Sequence, residues 1–237
     1  AMIWLIYQFM KQLSNEDERF SAPDLPPAII DFHTMCDDFD FEYREPFFNP
    51  NISGEYADII GTHTLEDDWG IWGHNLSKAL GDGVSDSVYA KRGNWIERDQ
   101  FCFSSNEIFN RLREYIYNNY GENGNSQRFM IMPNDNNIVC ICELCKSNGN
   151  TLSNVTPALS VLLKRLSDAF PKHLFFTAAY LTTSTSPFNK WPQNAGVMLS
   201  KIDLPKGVEL RYNEKTGGFL KTLNQWKANT SKMYIWD

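Results

Sequence analysis

The residues best suited to chemistry lie between Arg128 and Cys145, in the stretch RFMIMPNDNNIVCICELC. Phe129 to Met132 is a short apolar run of the length of a buried strand, and Pro133, which has no N–H to donate, ends it. Asn134 and Asp135 follow at once, placing one carboxylate among amides at the C-terminal end of a strand. Loops in that position carry the chemistry of α/β enzymes. The same Asn-Asp-Asn-Asn run also suits a plain turn, because these side chains cap their own backbone. Three cysteines come next, Cys140, Cys142 and Cys145. Their C-x-C-x-x-C spacing is awkward for pairing within the motif and natural for thiolate coordination of a soft metal such as zinc. Three local ligands need a fourth, and Cys102 is the candidate; disulfides or free thiols are the competing reading.

The elements that must hold these groups alternate between strand and helix. Residues 2–13 read as a helix, and Pro23 to Pro27 form a connector that disfavours one. Phe39 to Phe48 alternates aromatic and charged residues with the period of a strand, which would set Arg44 on one face and Tyr43 and Glu45 on the other. Tyr56 to His63 suits a short helix or turn. Asp68 to Leu76 reads as a glycine-interrupted strand ending in His74 and Asn75, with Trp69 and Trp72 as possible platforms for a sugar ring. A weak strand at Gln100 to Phe103 precedes an amphipathic helix over 106–120, with Ile108, Leu112, Tyr115, Ile116 and Tyr120 on its inner face. A second helix is expected from Thr156 to Phe170, with Pro157 in its first turn. Strands follow at His173–Tyr180 and Ala195–Ser200, then a helix at Phe219–Ala228 and a last strand at Lys232–Asp237.

Strands near residues 41, 70, 100, 129, 174, 196 and 233, separated by helices, imply parallel pairing. The expected fold is α/β, a TIM-barrel-like (β/α)₈ architecture cut short after about seven strands, with residues 1–237 as one domain. The chain has 237 residues, 42% of them hydrophobic, enough for a sizeable core. A net charge of −7 without a basic stripe argues against nucleic-acid binding. No apolar run is long enough to span a membrane. No export signal is recognisable, but the N-terminus has the look of a cut end, so that absence carries no weight. Aromatic residues reach 14%, and such rings stack on pyranoses through an apolar face with a polar tip.

Several segments together resemble an uncharacterised bacterial family catalogued as a domain of unknown function: FEYREPFF, WGIWGHNL, QFCFSSNEI, the Asn-Asp ahead of CICELC, FFTAAYL and MYIWD, in that order. That family is similar to glycoside hydrolase barrels of the alpha-glucuronidase and beta-hexosaminidase type. The resemblance implies polysaccharide degradation outside the cytoplasm, in the periplasm or at the cell surface. It also implies an N-terminal module and a C-terminal continuation that this chain lacks. Glycoside hydrolysis generally needs two carboxyl groups at the C-terminal ends of barrel strands. Asp135 and Asp237 occupy such positions in the expected fold, with Glu45 as the alternative to Asp237. Asn134 would hold a sugar hydroxyl or an N-acetyl group. Arg44, Trp72, His74, Asn75, Tyr180 and Trp236 complete the candidate substrate site. No cofactor is required for such chemistry, and a structural zinc on the cysteines is the one metal expected. The alternative function is a carbohydrate-binding barrel without catalysis, or an inactive fragment.

Overall fold

The structure, a computed structural model, describes residues 2–14, 39–46, 48–52, 56–122, 124–202, 204–205, 207, 209 and 218–236. Asp237 and the Pro23–Pro27 connector lie outside them. The chain falls into two compact units, Ala1–Asp68 and Trp69–Asp237.

The first unit is helical. It contains α1 (Met2–Ser14), α2 (Asn49–Ile52), α3 (Ala57–Ile60) and α4 (Leu65–Asp68). The strand expected over Phe39–Phe48 is not formed among the described residues. Its period-two pattern loses to local bonding. The Arg44 guanidinium donates to the carbonyls of Gly61 and Phe41 and lies 3.6 Å above the Phe39 ring. The Arg44 backbone N–H donates to His63 Nδ1, and Pro46 has no N–H to offer a ladder.

Among the described residues the second unit holds two sheets. The larger has five parallel strands: β1 (Trp69–Ile71), β4 (Arg128–Met130), β5 (Leu174–Ala179), β6 (Ala195–Ser200) and β7 (Lys232–Trp236), in that spatial order. The smaller is an antiparallel pair, β2 (Tyr89–Arg92) and β3 (Trp95–Phe101). The strand expected near residue 100 therefore exists, but in a hairpin apart from the parallel sheet. Its two-residue turn, Gly93–Asn94, is a Gly-Asn pair with Gly93 at φ 63°, a conformation that favours glycine.

The helices are α5 (Leu76–Leu80), α6 (Asn106–Tyr120), α7 (Glu143–Ser147), α8 (Thr156–Ala169) and α9 (Phe219–Asn229). α6 buries Ile108, Leu112 and Ile116, and α8 buries Leu159, Leu162, Leu163 and Leu166, the apolar stripe that a period of 3.6 places on one face. Pro157 sits in the first turn of α8, where its missing N–H costs nothing. These side chains meet Phe129 and Phe175 in the main core, while Ala179, Val197, Leu199 and Phe219 surround Trp226 in a second cluster. His173, wholly buried, is satisfied at both nitrogens. Its Nε2 faces the Gly121 carbonyl at 2.7 Å and must carry the proton, while Nδ1 accepts from the Gln127 N–H at 3.2 Å.

Side chains alternate along the strands, and the face opposite Phe129 and Phe175 is the informative one. There Phe176 of β5 meets Trp69 of β1 with ring centroids 5.4 Å apart, and stacks on Tyr234 of β7 at 4.6 Å. Arg128 Nε of β4 donates to the Tyr234 hydroxyl at 3.2 Å. In a flat sheet, β1 and β7 would lie about 19 Å apart, at about 4.8 Å per strand. Contacts among side chains of β1, β4, β5 and β7 require a sheet strongly curled around this face. Gly196 of β6 makes room for them: a Cβ there would come within 2.5 Å of the Phe176 ring and 2.7 Å of the Lys232 carbonyl oxygen.

Candidate functional site

The C-terminal ends of the parallel strands gather much of the candidate set. Trp72, one residue beyond β1, lies 4.9 Å from Trp69 and 5.8 Å from Trp236, measured between ring centroids. Trp72 and Trp236 follow or end the two outermost strands, so their meeting is a direct product of the curl. His74 Nδ1 lies 2.6 Å from the Pro133 carbonyl oxygen. A carbonyl only accepts, so Nδ1 carries the hydrogen and Nε2 is the acceptor of the neutral ring. Tyr180, immediately after β5, has its ring 6.5 Å from that of His74. Trp72, His74, Tyr180 and Trp236 are all half-buried, while Asn75 is exposed at the start of α5.

Asp135 stands exposed in the loop after β4, two residues beyond the carbonyl that receives His74. The loop is fixed from below by β3. Gln100, buried, accepts from the Asn134 N–H and donates to the Asn134 carbonyl and to Asn136 Oδ1. Asn134 and Asn136 both donate from Nδ2 to the Asp99 carbonyl, at 2.9 and 3.0 Å. The Asn134 amide nitrogen is thus engaged in building the loop, which leaves its Oδ1 as the group for a ligand. The Asn-Asp-Asn-Asn run is a turn, and it leaves the Asp135 side chain exposed. Gln100 escaped the sequence reading. Arg128 and Tyr234, facing each other inside the curl, escaped it too; only their shared period-two faces could have marked them.

Glu45 and Arg44 belong to the first unit. Arg44 is bound to backbone carbonyls, as above, and its role there is to brace the turn around Gly61. Glu45 is half-buried, and that burial raises its carboxyl above the usual range, only partly offset by a hydrogen bond from Asn51 Nδ2 at 3.4 Å. A carboxyl raised in the folded chain holds its proton to higher pH than in the unfolded chain. Its charge therefore costs stability once pH has risen through the folded value, and the cost disappears below the unfolded one. Glu45→Gln keeps the oxygen that receives Asn51, so its thermal midpoint should exceed that of the parent at neutral pH, with the difference closing in acid. An equal or lower midpoint at neutral pH would show that the Glu45 charge is not a burden.

The cysteines converge. Sγ atoms of Cys102, Cys140, Cys142 and Cys145 all lie within 4.8 Å of one another, with Cys102 Sγ 3.8 Å from Cys142 Sγ and 3.6 Å from Cys145 Sγ. Cys102, Cys140 and Cys145 are buried and Cys142 half-buried. The Lys91 N–H donates to Cys140 Sγ at 3.2 Å, and the Cys145 N–H to Cys142 Sγ at 3.5 Å. The neighbouring Cys102 and Cys145 thiols, aided by backbone N–H groups, hold the Cys140 thiol well below its usual range, while Cys102 is pushed up in turn. Such a cluster could hold a metal ion.

A family model described as Domain of unknown function (DUF4838) matches residues 34–237. No curated protein and no solved structure matches the chain.

Proposed function

The chain belongs to this family of domains of unknown function, and from that premise we propose that it binds carbohydrate at the C-terminal end of the parallel sheet and hydrolyses glycosidic bonds there. The observation that carries the proposal is the meeting of Trp72 and Trp236 across the curl, with His74 and Tyr180 beside them. Indole faces next to a ring nitrogen and a phenol form a surface that stacks on a sugar and orients its hydroxyls. Its location agrees with the rule that ligands of parallel sheets sit beyond the carboxyl ends of the strands.

Spatial order follows chain order through all five parallel strands, with none of the reversal that marks a doubly wound sheet. Together with the curl, that order supports reading the sheet as part of a (β/α)₈ barrel. In the proposed reaction Asp135 protonates the leaving oxygen, and Asp237 supplies the second carboxylate. His74 Nε2 and Asn134 Oδ1 accept from sugar hydroxyls. Neither role needs a metal. The polysaccharide substrate and the extracytoplasmic setting implied by the resemblance belong to the same proposal. No described helix is long and apolar enough to cross a membrane.

The platform is tested by titration calorimetry of uronic-acid and N-acetylhexosamine oligosaccharides on the whole chain. Trp72→Ala should weaken binding by about tenfold, the loss of one stacking face. Undiminished affinity in Trp72→Ala would remove the platform from the proposal.

A further inference from the structure

We propose that Cys102, Cys140, Cys142 and Cys145 form a closed four-thiolate site for one zinc ion, and that this ion locks the β2–β3 hairpin to the loop that carries Asp135. The inference does not depend on what the cleft binds.

The first ground is geometric. Tetrahedral coordination at a zinc–sulfur distance of about 2.3 Å puts the sulfurs about 3.8 Å apart. The separations of 3.8 and 3.6 Å from Cys102, and the 4.8 Å bound on the whole set, are those of a cage around a single ion. A polynuclear iron–sulfur cluster would hold its thiolates farther apart, since the cluster itself must stand between them. The separations are also far beyond the length of about 2.05 Å in a sulfur–sulfur bond.

The second ground is the surroundings of the sulfurs. Backbone N–H groups of Lys91 and Cys145 point at Cys140 and Cys142, at 3.2 and 3.5 Å. Donors of this kind complement the charge of metal-bound thiolates and orient them. A packed set of neutral thiols would have little use for them. With four protein ligands, no position remains for water, so the role is structural rather than catalytic.

The third ground is what the cage would join. Cys102 follows β3 directly, and Cys140, Cys142 and Cys145 come from the segment after the Asn134–Asn137 turn. That segment is already laid along β2, where the Ile141 N–H donates to the Lys91 carbonyl at 2.9 Å. Gln100 and Asp99, the groups that shape the loop around Asp135, stand two and three residues before Cys102. A zinc ion would thus cross-link the same two segments a few residues beyond those hydrogen bonds. Binding releases the thiol protons to solvent and leaves the four thiolates on the metal.

The test uses the whole chain purified without chelator. Elemental analysis should find one zinc per chain, and exchange into cobalt should give the visible bands of a tetrahedral cobalt–thiolate complex. Cys142→Ala should lose the metal, and Cys142→His, which keeps a ligand, should retain it. Metal removal should speed amide hydrogen exchange about tenfold or more over residues 95–101 and 134–145, while β5 and β6 keep their protection. Absence of metal with no cobalt spectrum, stoichiometric iron in place of zinc, or disulfides among the four cysteines would overturn the site. A metal whose removal leaves exchange unchanged, or speeds it equally in β5 and β6, would overturn its role in holding the loop. The cobalt spectrum of the parent chain decides the first point even if the variants fail to fold.

Discussion

Phe129→Ala is expected to lower the unfolding free energy of the second unit by about 3–5 kcal/mol, the cost of emptying a large aromatic site in a closed core. Phe129 has no exposed surface. Its ring lies 5.2 Å from that of Tyr120 on α6, 5.5 Å from His173, and stacked at 5.7 Å on Phe175 of β5. Gly70 of β1 has no side chain because the Phe129 and Tyr120 rings fill the space that a Cβ would need. α6, β5 and β1 therefore lose contacts together. Phe188, 98% exposed, is the matched control, and its alanine variant should stay within about 0.5 kcal/mol of the parent. Denaturant unfolding followed by circular dichroism measures both. Equal effects at the two positions would mean that the core is not organised around Phe129.

The longer helices α6, α8 and α9 and the parallel strands β4 to β7 are legible from their apolar patterns, whereas the short helices α5 and α7 carry no such signal. Leu159, Leu162, Leu163 and Leu166 mark a single face of α8, and the runs LFFTAA and AGVMLS have the apolar continuity of strands buried on both sides. Phe39–Phe48 misled because alternation records only which side chains differ, not whether the backbone has a partner. There the Arg44 side chain takes the Gly61 and Phe41 carbonyls, and among the described residues no strand lies alongside. The β2–β3 hairpin has its signal in the Gly93–Asn94 turn, whereas the apolar end of β3 taken alone places that strand in the parallel sheet.

The site was legible in its parts rather than as a unit. Strand ends drew attention to His74, Asp135, Tyr180 and Trp236, which lie far apart in sequence. Their relation to one another depends on sheet curvature, which arises from Trp69, Phe176 and Tyr234 sharing a concave face and from the space left by Gly196. No local pattern encodes that sum. The cysteines were the opposite case, since C-x-C-x-x-C is compact and Cys102 was the natural fourth member. Gln100 was invisible because a buried glutamine is recognised by its partners, here Asn134 and Asn136, and not by its own sequence neighbours.

Asp135→Asn carries the second large effect. Asparagine matches the aspartate in size and preserves the turn, whose geometry rests on Asn134, Asn136 and Gln100 rather than on the Asp135 carboxyl. What it removes is the proton that the proposed reaction delivers to the leaving oxygen. A positioned general acid contributes about 10²–10⁴-fold, so glycoside turnover should fall by that factor while sugar affinity stays within a few-fold of the parent. The loss should be smallest on glycosides with good leaving groups, which need less protonation, and largest on natural linkages.

The most direct measurement is therefore steady-state hydrolysis of uronic-acid and N-acetylhexosamine glycosides by the parent chain and by Asp135→Asn, with binding measured on the same preparations. Turnover by the parent, lost in the variant while binding persists, is the expected result and would identify a glycosidase whose acid is Asp135. Equal turnover in both would contradict the role of Asp135, and a parent chain that neither binds nor cleaves any of these sugars would contradict the carbohydrate site itself.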